Sequence, residues 1–164
     1  MKVLGIDPGI TNTGYALVIE SGGSMSAGGH GTVKTSSSDE MSLRLDMLYE
    51  GVGRAIEELQ PDVAALEQLF FNVNVKTAMS VGQARGVIML ACRHAGLRCE
   101  EYTPLEVKQA VAGSGGAPKE QVEFMVRALL GLDRQTGSSH AFDAYAIAIC
   151  HLNFRRLRER LAGS

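Results

Sequence analysis

The chain opens on an unbroken apolar run, Val3-Leu4-Gly5-Ile6, that ends on an acid, Asp7, and a turn pair, Pro8-Gly9. Residues 2–7 therefore read as a buried strand. A second apolar run at 13–20 is closed by Gly22-Gly23, a hairpin signal, and the glycine-rich stretch 25–35 completes an antiparallel three-strand meander. The period then changes. Ser37-Ser38-Asp39-Glu40 has the form of a capping box, and Leu48, Val52, Ile56 and Leu59 follow at helical spacing, which predicts a helix to about residue 59. Pro61-Asp62 breaks it, and residues 63–67 form a short strand that again ends on an acid, Glu67. Met79, Ala84, Val87, Ile88, Ala91 and Cys92 give an amphipathic helix over 77–95, which Gly96 stops; residues 97–102 then read as a strand. A helix over 104–112, a Gly-Ser-Gly-Gly loop at 113–116 and a helix opening at Pro118 follow. Ser138-Ser139 caps a long final helix whose first turn carries His140 and Asp143.

Three strands, helix, strand, helix, strand, helices is the order of an α/β chain with a mixed five-stranded sheet: the meander extended by two crossover-linked parallel strands. If the strands ending in Asp7 and Glu67 are neighbours, both acids lie at the crevice outside the strand carboxyl ends, where such sheets bind ligands.

Composition narrows the class. A length of 164 residues suits one domain with a core, and 45% apolar with 21% charged residues is ordinary for a globular protein. No apolar run reaches the roughly 20 residues needed to span a membrane, and no signal-peptide pattern opens the chain. Cys92, Cys99 and Cys150 lack disulfide-like spacing, which points to a reducing cytoplasm. Cys92, His94 and Cys99 form half a zinc set at best, so buried thiols are the expected reading. A net charge of −2 argues against a non-specific nucleic-acid coat, though clustered acids can hide a local basic surface. The basic end of the last helix, about 154–164, reads as a solvated terminus complementing the helix dipole.

The chemistry lies in the acids. His140-x-x-Asp143 opens a helix with both side chains on one face, and Asp7 and Glu67 each end an apolar strand. Three carboxylates and an imidazole can converge only if cations offset their repulsion, and an oxygen-rich set with one nitrogen suits Mg²⁺ or Mn²⁺. Two ions about 4 Å apart can activate water and stabilise the leaving oxygen of a phosphodiester.

Gly5-Ile-Asp7-Pro-Gly9 with Thr13-Gly14-Tyr15, Leu66-Glu67-Gln68, Val81-Gly-Gln-Ala-Arg85-Gly-Val87, Val107-Lys108-Gln109 and Asp143-Ala-Tyr-Ala-Ile-Ala148 together resemble the RuvC family of Holliday-junction resolvases, from about residue 2 to 153. The resemblance implies an RNase H-like fold, a homodimer, and paired symmetric cuts in a four-way DNA junction. It also implies two Mg²⁺ or Mn²⁺ ions per site and partnership with a RuvA–RuvB branch-migration complex. By motif, Asp7, Glu67 and Asp143 become metal-binding acids. His140 departs from the Asp more often found at its place. A neutral ligand there should favour Mn²⁺ over Mg²⁺, and metal binding should weaken as the imidazole takes a proton.

Residues expected to meet DNA follow. Phe70, which matches the family's base-stacking position, Phe71 and Asn72 come directly after the Glu67 strand; an outward Phe can stack on an unpaired base. Lys119 opens a helix, where a cation opposes the dipole unless a phosphate sits there, and both Lys108 and Lys119 match family positions tied to DNA contact and catalysis. Thr11, Asn12 and Thr13 offer donors to phosphate or serve the turn; Arg85 steers DNA or pairs with an acid; Lys76 is a solvated lysine or a contact. Three rival classes share features: actin-like ATPases, which need a second domain, a junction-binding module without catalysis, and a ribonuclease H or proofreading exonuclease, which use similar acids on a related fold but do not explain Phe70 beside Glu67 or the Gly82–Gly86 motif.

Overall fold

The computed structural model describes residues 1–68, 75–133 and 137–162, with the backbone alone for 75–77. Phe70, Phe71 and Asn72, and the Lys76 side chain, lie outside the described residues. The elements are β1 (Lys2–Asp7), β2 (Asn12–Ser21), β3 (Ser24–Lys34), α1 (Met41–Leu59), β4 (Val63–Glu67), α2 (Val75–His94), β5 (Cys99–Tyr102), α3 (Pro104–Ala112), α4 (Lys119–Leu130) and α5 (Ser139–Ala162). They build the expected mixed sheet, in the order β3-β2-β1-β4-β5. The meander is antiparallel, while β4 runs parallel to β1 and β5 parallel to β4.

The strands read as near-continuous apolar runs because helices cover both faces. Leu4 and Ile6 of β1 point to one side, where Leu17, Ala64 and Leu66 meet Leu48, Val52 and Ile56 of α1 and Ala84 and Ile88 of α2. Val3, Val18, Val63 and Ala65 point to the other, against α3, α4 and the Ala-rich face of α5. Successive strand residues alternate faces, so one short strand feeds two cores.

Three expectations are corrected. The capping box at Ser37–Glu40 does not form: α1 starts at Met41, its N-cap is Glu40 without a side-chain bond, and the Ser36 and Ser38 hydroxyls pair at 2.7 Å in their own turn. A capping box forms instead at α3, where Thr103 Oγ1 accepts from the Glu106 N–H at 3.1 Å and Glu106 accepts from the Thr103 N–H at 2.8 Å. The strand expected from residue 97 starts at Cys99, because the Leu97 N–H returns to the Cys92 carbonyl at 2.8 Å and closes the end of α2. Met79 stands on the solvent side of α2, 64% exposed. The C-terminal cations are not simply solvated: Arg155 and Arg156 both pair with Glu20 of β2, whose side chain is only 9% exposed. No helix among the described residues is long and apolar enough to cross a membrane.

Candidate active site

Parallel pairing of β1 with β4 sets Ile6 beside Leu66, so the next residues, Asp7 and Glu67, leave the sheet together at its carboxyl edge. The partners on α5 arrive because that helix lies directly on β1 and β2. Two glycines make this possible. A Cβ at Gly5 would overlap the Ala144 carbonyl, and one at Gly14 would overlap the His140 carbonyl. Gly14 is the β2 partner of Asp7, so the backbone of α5 descends onto the position where Asp7 ends its strand. The His140 Nδ1 stands 3.0 Å from Asp7 Oδ2, and Asp143 follows one turn later on the same face.

One ligand atom from each of Asp7, His140 and Asp143 lies within 4.8 Å of the others; among the described residues this is the one cluster of potential metal ligands. Glu67 stands beside the cluster. With Lys108, Lys119, Asp143, Pro104 and Val107 it lines a cleft of about 210 Å³. The Lys119 ammonium donates to Asp143 Oδ2 at 2.7 Å. That contact raises the Lys119 pKa and accounts for a cation at the first position of α4. Cys92, His94 and Cys99 do not form a zinc set: Cys92 is buried, and His94 Nδ1 is 2.8 Å from the Tyr49 hydroxyl.

The electrostatics show crowding. Burial pushes the Glu67 carboxyl up to about 7, with the Asp7 and Asp143 charges adding and Lys119 and Lys108 opposing. Burial also raises Asp7; the hydrogen bond from His140 opposes this and the Asp143 charge reinforces it. At neutral pH such carboxylates relieve the repulsion by keeping a proton or by sharing a cation. A set of three carboxylates and one imidazole fits a hard divalent ion that tolerates one nitrogen.

Other expected residues divide. The Thr13 hydroxyl is buried and donates to the Gly9 carbonyl at 2.5 Å, so it serves the turn after Asp7 and not a phosphate. The Thr11 hydroxyl accepts from Arg44 Nη2 at 2.9 Å. Asn12 begins β2, half-buried. Arg85 pairs with Glu101 of β5, the second of its two expected roles. Arg44 itself was missed. It is 7% exposed, and its Nε donates at 3.0 Å to Thr35, whose hydroxyl donates to the Ile10 carbonyl. The available signal was a cation four residues before Leu48 on the apolar stripe of α1. Gly5 and Gly14 were visible only as parts of a motif, since their role is to leave room for a helix over 120 residues away.

The family model described as crossover junction endodeoxyribonuclease RuvC matches residues 3–151. A crossover junction endodeoxyribonuclease RuvC of Moorella thermoacetica is 51% identical over 160 residues, covering 98% of this chain and 96% of the relative. That of Syntrophomonas wolfei is 46% identical, covering 100% and 95%. Among solved structures, T. thermophilus RuvC in complex with a Holliday junction substrate superposes with a TM-score of 0.91 at 37% identity, covering 96% of each chain.

Proposed function

Because the chain belongs to the crossover junction endodeoxyribonuclease RuvC family, with its RNase H-like sheet, we propose that Asp7, Glu67, His140 and Asp143 hold the divalent ions with which it nicks four-way DNA junctions. Family membership carries endonuclease activity and divalent-metal use. Two ions, Mg²⁺ or Mn²⁺, would be held, with Asp7 and Glu67 serving one and Asp7, His140 and Asp143 the other. The observation behind this assignment is the approach of Asp7, His140 and Asp143 to within 4.8 Å, with Glu67 at the rim of the adjoining cleft.

When bound, such ions make water a nucleophile near neutral pH and offset charge on the departing oxygen. The chain does the rest. Asp7, fixed by the β1 pairing and the Thr13 turn, orients the centre without side-chain searching. His140 presents Nδ1 to Asp7, so the tautomer accepting at Nε2 is the one that can serve as a ligand. Lys119, paired with Asp143 at the mouth of the cleft, would offer its charge to the phosphate if that carboxylate held a cation. Lys108 lines the same cleft and contributes a second positive charge.

The same proposal includes two copies of the chain acting across the two-fold substrate, supply of junctions by a RuvA–RuvB complex, and work in the cytoplasm. Phe70, Phe71, Asn72, Asn12 and Lys76 belong to the DNA-contacting set, with Phe70 stacking on a base at the crossover. A synthetic four-way junction, a linear duplex and an RNA–DNA hybrid, each incubated with metal, test the substrate. Paired, symmetric nicks in the junction alone are expected; cleavage confined to the hybrid overturns the reading.

A further inference from the structure

The first turn of α5 carries two of the proposed ligands, His140 and Asp143, and other elements grip it at several points. From the sheet, Gly14 meets the His140 carbonyl, Thr32 Oγ1 lies 3.4 Å from Ser138 Oγ, and His30 Nδ1 lies 3.1 Å from the Tyr145 hydroxyl. From α4 come two more ties. One is the Lys119–Asp143 ion pair at the start of that helix. The other lies about two turns further on, where the Arg127 guanidinium carbon stands over the Phe142 ring, 4.2 Å from its centre.

Arg127 joins separate pieces of chain. Its Nη2 donates to Glu123 Oε1 at 2.9 Å, one turn back on α4, and its Nη1 donates to the Asp133 carbonyl. Its own carbonyl accepts from the Leu132 N–H at 3.0 Å and from the Gly131 N–H. Side chain and backbone of one residue thus fix the turn by which the chain leaves α4. A guanidinium suits this work, because it donates from several nitrogens while its charge lies on an aromatic ring; an ammonium is a point charge with no such fork. Phe142 is 3% exposed and its ring also meets that of Tyr145, with 6.5 Å between centres. The Arg127 side chain is itself only 20% exposed, and a cation on a ring is held more firmly there than at open surface.

Anchoring Phe142 fixes the roll of α5 about its axis. His140 and Asp143 share one helix face, and Phe142 directly precedes Asp143, so a ring held at 142 sets the direction in which both ligands point. At the outer radius of a helix, about 5–6 Å, a roll of about 10° moves a side-chain atom by about 1 Å. A misplacement of about 1 Å can cost about 100-fold in rate. The Lys119 tie is no substitute, because a cation on Asp143 competes with it for the same carboxylate. We propose that Arg127 is a positioning residue for the ligand set: through Phe142 and the Asp133 carbonyl it holds the first turn of α5 in the roll that brings His140 and Asp143 to Asp7. This inference rests on the assignment of those three residues as ligands.

The test is a titration of the full-length, DNA-free protein with Mn²⁺, followed by EPR well below each variant's melting transition, beside steady-state junction cleavage. Arg127→Gln should weaken Mn²⁺ binding at least about tenfold, as loss of a group supporting metal ligands does, and should lower kcat while KM for the junction stays parental. Phe142→Leu, which removes the ring but keeps apolar bulk, should do the same. The double variant should lose no more than the worse single change, because both remove one contact. Arg127→Lys keeps a charge for the ring and should recover part of the loss; it also serves where the Gln variant folds too weakly to read. Parental Mn²⁺ affinity in Arg127→Gln and Phe142→Leu, or losses that simply multiply in the double variant, overturn the proposal and leave Arg127 a structural tie. Asp7→Asn, titrated in parallel, keeps the two readings apart. If it loses Mn²⁺ while Arg127→Gln does not, the positioning role alone fails; if it binds Mn²⁺ as the parent does, the ligand assignment fails and this inference with it.

Discussion

Single side chains decide whether the acidic cluster is a catalytic centre. Asp7→Asn keeps the size and the turn but removes a charge shared by both proposed metal sets. Junction cleavage should fall by at least about 100-fold while junction binding, read by gel shift, persists; near-parental cleavage would remove Asp7 from the ligand set. Glu67 makes a different prediction. Its carboxyl is raised from 4.5 to about 7 in the metal-free protein, so between those values the folded state binds more protons than the unfolded one. Stability must then fall as pH rises from about 4.5 through 7, and level off above. Thermal melting in chelator should show this slope, Glu67→Gln should flatten it, and added Mn²⁺ or Mg²⁺ should restore more stability at pH 8 than at pH 5.5. A slope that persists in Glu67→Gln assigns it elsewhere. An imidazole in the proposed ligand set predicts a metal preference: Mn²⁺ should outpace Mg²⁺ at equal concentration, and His140→Asp should narrow the gap. Equal parental rates with both ions would count against an imidazole ligand.

At the scale of elements, most of the architecture was legible, because apolar runs and helical periods specify strands and helices locally. The β1, β4 and α3 boundaries agree with expectation, and the acids at the ends of β1 and β4 come together because their strands are neighbours, the condition on which the expectation rested. What was hidden is contact between elements distant in sequence. Ser37 had the right neighbours for a cap but the wrong helix start. Arg44 looked like one charge among many until α1 folded against the Ile10–Thr11 loop. Gly14 stood only as part of a motif, yet it is the surface on which the His140 backbone rests. Gly14→Ala is therefore expected to act through α5. The added methyl must push the helix away, costing about 1–3 kcal/mol as overpacking does, and it moves His140 and Asp143 off Asp7. Cleavage should fall more than denaturant stability, with the loss in kcat; a variant that melts like the parent and cuts at the parental rate removes Gly14 from this role. Gly53→Ala, with open space around it, is the control and should leave both unchanged or stabilise α1 slightly.

The whole molecule poses a stoichiometric problem. Among the described residues one chain carries one acidic cluster, whereas the proposed reaction makes two cuts at symmetric positions, so the second cut calls for a second chain held in register. The face of α2 is the surface best suited to hold it. Met79, Met89 and Leu90 are 64%, 37% and 48% exposed, and Gly82 and Gly86 leave open space between them. Exposed apolar side chains flanking glycines let another helix approach closely, whereas the buried face, with Ala84, Ile88 and Cys92, is already committed to the core. Met79→Glu with Leu90→Glu puts two like charges on that face without touching the core or the acids. The variant should run as a monomer in sedimentation and, on a plasmid bearing an extruded cruciform, should convert linear product into nicked circles. A slower but still linear product would mean that the pair re-forms on DNA through other surfaces. Unchanged mass and unchanged linear product would place the interface elsewhere and leave α2 an ordinary exposed helix. The proposed metal centre and the proposed dimer are thus separable: Asp7→Asn should stay dimeric and cut nothing, while the α2 variant should cut once and let go.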